Sequence, residues 1–302
     1  MTTLLLELLA LAAGAAATEL GHWTVVSDRG RDAVFDQVVE LLPRAQRELE
    51  AKLGLALRGP ATVVLCGSTA SFRNATPGMD HRHTLGVAFP GQKTLYLNCE
   101  EIGRRPYESF SVTLRHEVSH VIVGEVERRG NRRVPLWFDE GVAVWTSGKI
   151  PLYDQGDFRR AVAAGTLPPL ADLTDAFPLD PTARGIAYEQ SESFVRYLVR
   201  RYGEDAIRRI LRSAARGVEF DAAVQEAVGA DLAGLERRWL DSIRSRWPWL
   251  SWILETVSLF GLASVFAVFA FLVYWRRRKR KYQEWEMEEG LEGDEGGPQH
   301  PW

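Results

Sequence analysis

Apolar and polar positions follow two different periods in the two halves of the chain. In the first half, short alternating or β-branched runs predict strands at residues 23–26, 61–66, 86–89 and 93–98. The last two strands flank Pro90-Gly91, which predicts a hairpin. Helical periodicity predicts helices over residues 32–57, 68–73, 106–126, 135–145, 186–202, 205–215, 222–228 and 232–247. We therefore predict an α+β fold with a small N-terminal sheet and a helical C-terminal half.

Composition narrows the class of protein. A chain of 302 residues with 46% hydrophobic and 25% charged residues has the composition of a globular protein, which excludes wholesale disorder. The net charge of −3 provides no basic field, so nucleic acid is not an expected partner. The two cysteines, Cys66 and Cys99, each close or follow a predicted strand. A disulfide and two buried thiols both remain open.

The C-terminal region contains an apolar run. Residues 256–275 carry no charge, which matches the ~20 residues needed to span a bilayer, and residues 276–281 are all basic. The pattern predicts a transmembrane helix over residues 253–275 and, by the positive-inside rule, a cytoplasmic basic-then-acidic tail over residues 276–302. The expected location is a single-pass membrane protein whose body, residues 18–248, is extracytoplasmic.

The N-terminal residues 1–17 combine a short apolar run with small residues at its end. This pattern predicts a signal peptide. The run is interrupted by Glu7, and no Lys or Arg precedes it. An ordinary first helix, or a misplaced start codon, is therefore the alternative interpretation.

The strongest chemical motif is His116-Glu117-Val118-Ser119-His120, an H-E-x-x-H sequence within a predicted helix. Residues four apart lie on one helix face, so both imidazoles can reach one metal ion. The acid between them can then act as a general base toward a water molecule. Taken singly, each histidine could equally be a hydrogen-bonded core residue.

A third metal-ligating residue follows at a suitable distance. Glu140 lies in Trp137-Phe138-Asp139-Glu140-Gly141, within the next predicted helix. Two histidines and one glutamate leave one coordination position open, which is typical of catalytic rather than structural zinc. The sequence therefore predicts a Zn²⁺ site formed by His116, His120 and Glu140.

With HEVSH followed by WFDEG, the chain resembles the gluzincin branch of zinc metallopeptidases, and in particular the bacterial peptidase MA-like family. The resemblance extends from about Ala61 to Gly203. It implies a gluzincin-like catalytic domain, with His116, His120 and Glu140 as zinc ligands and Glu117 as general base. Thermolysin-like relatives carry an Asp where this chain has Val144, so another group must orient the ligands. Asp139 and Glu192 are the two candidates.

The resemblance also implies an oxyanion-stabilising residue on a later helix. Tyr188 occupies the matching segment, whereas Tyr197 and Tyr202 compete for the role and a core aromatic is the alternative. In gluzincins the edge strand corresponding to residues 86–89 pairs with the substrate backbone. An ordinary hairpin is an equally good interpretation of these four residues.

These features predict a membrane-anchored, extracytoplasmic zinc metallopeptidase that hydrolyses peptide or protein substrates. Two alternatives belong to other classes. The first is a catalytically silent, membrane-anchored binding module that keeps the fold, and the second is a hydrolase of non-peptide amides. The presence of Glu117 beside all three ligands argues against the silent module.

Overall fold

The computed structural model describes residues 15–78, 84–104, 107–148, 155–245, 261, 264–276 and 278. The chain divides into two units, Met1–Ser242 and Ile243–Trp302. The first unit contains the sheet, most of the helices and the predicted site. Its described residues form an α+β fold with a small mixed sheet, as the sequence predicts.

Among the described residues the sheet has five strands, in the order β1-β2-β3-β5-β4. The strands are β1 Ala16–Leu20, β2 Trp23–Ser27, β3 Ala61–Cys66, β4 Gly86–Phe89 and β5 Thr94–Asn98. The central strands β2, β3 and β5 are parallel, whereas β1 and β4 pair antiparallel at the two sides. Strand β4 is the outer strand next to β5 in the described sheet, and its Gly86 lies opposite Leu97.

Helices make up most of the rest of the described chain. They are α1 Ala33–Leu53, α2 Thr69–Ala75, α3 Cys99–Gly103, α4 Tyr107–Val123, α5 Glu125–Gly130, α6 Leu136–Ser147, α7 Gln155–Ala164, α8 Pro181–Tyr202, α9 Glu204–Ala214, α10 Phe220–Val228 and α11 Leu232–Ser245. Helix α4 carries the H-E-x-x-H motif and packs against β4, β5, α1 and α6. Helix α6 packs in turn against α8.

Local capping chemistry explains where the helices begin and end. The side chain of Asp32 accepts a hydrogen bond from the Phe35 amide and starts α1. The predicted helix over residues 32–57 ends early at Leu53, because Gly54 adopts a left-handed conformation with φ of 68°. Asp180 caps α8, and Pro181 occupies its first position.

Aromatic packing fixes the helix that carries Glu140. Trp137 of α6 lies edge-on to Phe194 of α8 and Phe220 of α10, with ring centroids 5.3 and 5.7 Å apart. Phe194 also packs against Trp239 of α11. All of these rings are buried, so α6 is packed against α8 and α10 through aromatic contacts.

Close backbone approach fixes the same helix on its α8 side. A Cβ atom at Gly141 would lie 2.5 Å from the Ser191 carbonyl oxygen and 2.7 Å from Val195 Cγ2. Glycine is therefore required here by space. The residue directly after Glu140 sets how closely α6 and α8 approach each other.

Strand β1 and helices α3 and α7 were missing from the sequence prediction, and the single helix predicted over residues 106–126 is divided into α4 and α5. Strand β1 includes Ala16 and Ala17, which pair with Ser27 and Val26 and which the sequence pattern assigns to the end of a signal peptide. Residues 1–14 lie outside the described residues. The signal peptide over residues 1–17 and the domain boundaries of the sequence analysis stay predictions.

The two cysteines are free thiols, and both are buried. Cys66 ends β3 and Cys99 begins α3, where burial raises the pKa of each thiol to about 12. Of the two alternatives that the sequence left open, the structure has the unpaired thiols.

The transmembrane helix predicted over residues 253–275 is wrong. Among the described residues no helix is both long enough and apolar enough to cross a membrane. The described part of that segment is helical over residues 264–276. Residues 253–260 and 262–263 of the predicted span lie outside the described residues.

The predicted single-pass location depends on the same helix and is corrected with it. An uncharged run records only composition, whereas a membrane span also needs one continuous helix of sufficient length. Most of the predicted tail over residues 276–302 lies outside the described residues.

Candidate metal centre

Two imidazoles meet on one face of α4. His116 and His120 are one helical turn apart, and their Nε2 atoms lie 3.1 Å from each other. Both side chains are buried, and their rings are nearly perpendicular, with an interplanar angle of 83°. The helical spacing of four residues produces this juxtaposition, as the sequence predicts.

The third group comes from α6. Glu140 Oε2 lies 3.4 Å from His116 Nε2 and 3.6 Å from His120 Nε2. Six residues further along α6, the hydroxyl of Thr146 lies 3.3 Å from the hydroxyl of Ser119 on α4 and links the two helices. The structure therefore brings together all three predicted metal-ligating residues, and these form a group that could hold a metal ion.

The triangle of ligand atoms has the dimensions that zinc requires. A tetrahedral zinc ion with bonds of ~2.0–2.1 Å holds its ligand atoms ~3.3–3.4 Å apart. The three measured separations of 3.1, 3.4 and 3.6 Å bracket that value. The donor set of two imidazole nitrogens and one carboxylate oxygen is also one that zinc prefers.

An unsatisfied buried atom supports a cation at this point. Glu140 Oε2 is buried and accepts no hydrogen bond of ordinary geometry from any residue that the structure describes. A buried carboxylate oxygen without a donor costs free energy unless a positive charge lies close to it. The site residues therefore fit a bound divalent metal ion.

The electrostatics of the three groups agree with this arrangement. Burial by itself opposes ionisation of Glu140, but the adjacent imidazoles of His120 and His116 outweigh it and hold the pKa of Glu140 below its usual range. Burial also disfavours the charged form of His120, yet the carboxylates of Asp139 and Glu140 raise its pKa well above the ordinary value. The ionisation of Glu140 and His120 therefore depends on the charge of the groups beside each of them.

Glu117 lies beside the triangle and is not part of it. Its side chain is buried, and burial is the largest cause that raises the pKa of its carboxyl group. The carboxylate reaches β4, where the position of a Cβ atom on Gly86 would be 3.0 Å from Glu117 Oε1. Glu117 therefore occupies the space between the two histidines and the outer strand of the sheet.

The two acids considered as partners of the histidines have different surroundings. Asp139 Oδ2 lies 3.0 Å from His120 Nδ1, so Asp139 fixes the orientation of the second histidine. Glu192 instead accepts a hydrogen bond of 2.5 Å from Arg196 on its own helix. His116 Nδ1 has no hydrogen-bond partner in the part of the chain that the structure describes.

Of the three tyrosines considered, Tyr188 is the one near Glu140. Its hydroxyl lies 3.4 Å from Glu140 Oε1, and its ring packs edge-on to Phe177 at 4.9 Å. Tyr197 instead stacks on Phe194, and Tyr202 lies near the guanidinium of Arg201. This places the Tyr188 hydroxyl at the metal centre.

Similarity to a known protein family supports the importance of this geometry. The model of the Peptidase MA superfamily matches residues 44–245, about two thirds of the chain. The chain belongs to the Peptidase MA superfamily. No curated protein matches the chain. This Peptidase MA domain extends from within α1 to the end of α11 and includes all three residues of the candidate metal centre.

Two glycines of this Peptidase MA domain shape the site and were missing from the sequence prediction. Gly86 makes room for Glu117, and Gly141 lets α6 and α8 approach next to Glu140. Neither position lies among the glycines with positive φ, so neither has the turn signal by which sequence analysis finds glycines. Their role depends on neighbours distant in sequence and appears only in three dimensions.

Proposed function

We propose that this protein is a zinc-dependent metallopeptidase that hydrolyses peptide bonds. The convergence of His116 Nε2, His120 Nε2 and Glu140 Oε2 within 3.6 Å of one another supports it most strongly. Membership of the Peptidase MA superfamily supports the same reaction class. In this proposal His116, His120 and Glu140 hold the ion. When bound, zinc supplies Lewis-acid polarisation of a water molecule and of the scissile carbonyl.

The protein supplies the proton transfer. Glu117 is adjacent to the triangle without belonging to it, which is the position that a general base needs. In the proposed reaction its carboxylate takes the proton of the attacking water and then delivers it to the leaving amine. Glu117 is thus a base first and an acid second, and it returns to its starting state after each turnover.

Tyr188 is proposed to stabilise charge on the substrate. Its hydroxyl lies near Glu140 and can donate a hydrogen bond to the negative charge that develops on the scissile carbonyl oxygen. Asp139 holds His120 in the orientation that presents Nε2 to the metal. The substrate backbone is proposed to add alongside β4, which is an outer strand of the sheet and packs against α4.

The test uses the purified full-length chain. We expect about one equivalent of zinc per molecule, cleavage of a peptide library, and loss of cleavage on chelation with recovery after zinc is added. Well-folded protein with zinc but without cleavage would favour the silent binding module. Cleavage of acylated small amides without cleavage of any peptide would favour the non-peptide amide hydrolase.

A substitution at Glu117 separates the base from the ligands. Glu117→Gln is nearly isosteric but cannot accept a proton, so turnover should fall by about 10²–10⁴, or ~3–5 kcal/mol of barrier. Zinc content and thermal stability should stay close to those of the wild type. The matched control is Glu127→Gln, because Glu127 is exposed and pairs with Arg133. Near wild-type turnover of Glu117→Gln would contradict the mechanism.

A further inference from the structure

The outer strand β4 uses its two faces differently. Val87 and Phe89 pack against the buried cluster of Val64, Cys66, Phe72 and Tyr96. Side chains alternate along a strand, so position 86 faces the opposite side, where Glu117 lies. The strand is therefore anchored through one face and meets the proposed general base through the other.

Gly86 is in close contact with Glu117. A Cβ atom at position 86 would lie 2.9 Å from Glu117 Cγ, 3.0 Å from Glu117 Oε1 and 3.0 Å from Leu97 Cδ2. Ordinary carbon–carbon contacts are ~3.5–4.0 Å, so even one methyl group would overlap the Glu117 side chain. The contact includes the Cγ atom, so rotation of the terminal carboxylate alone does not remove it.

The backbone itself does not require glycine at this position. Gly86 is not among the residues with positive φ, and it lies in a regular antiparallel pair opposite Leu97. Alanine could adopt the same extended conformation without strain. What selects glycine here is the space that the carboxylate of Glu117 occupies.

The geometry points to Gly86 as a positioning residue for Glu117. Its missing side chain leaves the pocket in which the Glu117 carboxylate lies between β4 and the two histidines. This inference rests on the proposed function, because it assigns the pocket a role in proton transfer. A larger residue would push Glu117 away, since β4 is held by β5 on one side and by the core cluster beneath it.

The expected consequence is a defect in kcat with little change in zinc binding. A misplacement of about 1 Å in a catalytic group can cost ~10²-fold in rate. We therefore expect Gly86→Ala to lower kcat by ~10–100-fold, with KM within ~3-fold of the wild type and zinc content unchanged. The zinc should stay because the atoms closest to a Cβ at position 86 belong to Glu117 and Leu97.

A matched glycine lies in the same hairpin. In the part of the chain that the structure describes, no atom beyond its two chain neighbours lies within 4 Å of a Cβ placed on Gly91, and Gly91 does not have positive φ. Gly91→Ala therefore repeats the change in backbone entropy without crowding any side chain, and it should leave kcat unchanged. Equal kcat values for Gly86→Ala and Gly91→Ala would overturn the inference.

A double-mutant cycle tests whether the effect acts through Glu117. Glu117→Asp shortens the side chain by one methylene and vacates the contested space. In that background Gly86→Ala should change kcat by less than ~3-fold, so the two substitutions should be non-additive. Full additivity would show a general structural defect and would overturn the inference. If Gly86→Ala fails to fold, recovery of folding in the double variant gives the same coupling.

A crystal structure separates this inference from the proposed function. If the wild type cleaves no peptide, the proposed function fails, but the contact can still be examined in Gly86→Ala. A displacement of the Glu117 carboxylate by about 1 Å or more, with β4 in place, would support the positioning role. An unmoved Glu117 beside a shifted β4 would overturn it.

Discussion

Two glutamates on consecutive helices of the fold have opposite surroundings. Glu125 begins α5, directly after the H-E-x-x-H helix, and Glu140 lies on α6. Cationic side chains surround Glu125: Arg128 donates at 2.7 and 3.0 Å, Arg129 at 3.2 Å, and Lys93 lies at 3.6 Å. Glu140 Oε2 accepts no such bond from any described residue. The carboxylate of Glu125 is therefore neutralised by arginine and lysine side chains, whereas the described nitrogens that face Glu140 Oε2 are those of the two imidazoles.

The difference separates a structural acid from a candidate metal-ligating acid. Arg128 also donates to the carbonyls of Val121 and Pro90, and Arg129 donates to that of Ala56. The Glu125 cluster therefore ties the end of α4 to the hairpin turn and to the loop before β3. A completed network of this kind stabilises the fold. An incomplete one beside two imidazoles indicates that a cation is part of the site.

Removal of Glu140 should have the largest effect. Glu140→Gln takes away the only negative group of the triangle, so two neutral imidazoles would have to hold the metal alone. We expect zinc affinity to fall by more than ~100-fold and peptidase activity by at least about 10³-fold. We expect zinc to raise the Tm of the wild type, and this increase should be absent in the variant. Isothermal titration and thermal unfolding with and without zinc measure both quantities.

The control for this prediction is Glu219→Gln, because Glu219 is an exposed acid that pairs with Arg132. Its zinc affinity should equal that of the wild type. Full zinc affinity in Glu140→Gln would mean that another residue is the third ligand, and the contrast between Glu140 and Glu125 would then lose its meaning.

Sequence analysis predicted a role for Glu140 but none for Glu125. His116, Glu117, His120 and Glu140 follow from helical spacing and ligand chemistry, which depend on local order. The role of Glu125 depends on Lys93 and on the carbonyl groups of Ala56 and Pro90, which are distant in sequence. Local patterns do not contain that information.

The difference between local and long-range information also explains which elements of the fold were predicted correctly. Strands β3 and β4 were predicted with the bounds that the structure has, because their apolar runs are bordered by turn residues. Strand β1 was missed because its alanines also fit the end of a signal peptide. The transmembrane prediction is wrong, because no helix among the described residues is both long enough and apolar enough to span a membrane.

Substitution of Glu125 should lower thermal stability and leave zinc binding unchanged, which is the opposite of the result expected for Glu140. Glu125→Gln leaves three buried or half-buried cations without their anion, which typically costs ~3–5 kcal/mol. For a domain of this size Tm should fall by roughly 6–20 °C. Zinc content and kcat per folded molecule, measured well below the new Tm, should stay near the wild type. Loss of zinc with little loss of Tm would contradict the assignment.

A smaller effect is expected from the partner of His120. Asp139→Asn keeps the size of the side chain but removes the charge that faces His120 Nδ1 at 3.0 Å. Groups that orient metal-ligating histidines typically contribute 10–100-fold in metal affinity. We therefore expect zinc affinity to fall by about that factor, which is less than the loss for Glu140→Gln. The matched control is Asp241→Asn on α11, and equal affinities in the two Asn variants would contradict the positioning role of Asp139.

The smallest expected effect is the change of stability at acid pH, which tests how much the charge of Glu125 contributes to Tm. Burial opposes ionisation of Glu125, but the guanidinium of Arg128 outweighs it and lowers the pKa of the carboxyl group. A lowered pKa in the folded state stabilises the protein above the unfolded-state value of about 4.3, and this contribution is lost as the pH falls through the folded-state pKa. The Tm values of the wild type and Glu125→Gln should therefore be far apart at pH 7 and should converge as the pH falls below about 4.

Glu219→Gln should follow the wild type over the whole range. A constant difference in Tm between pH 7 and pH 3 would show that Glu125 stabilises the fold through packing, and not through its charge.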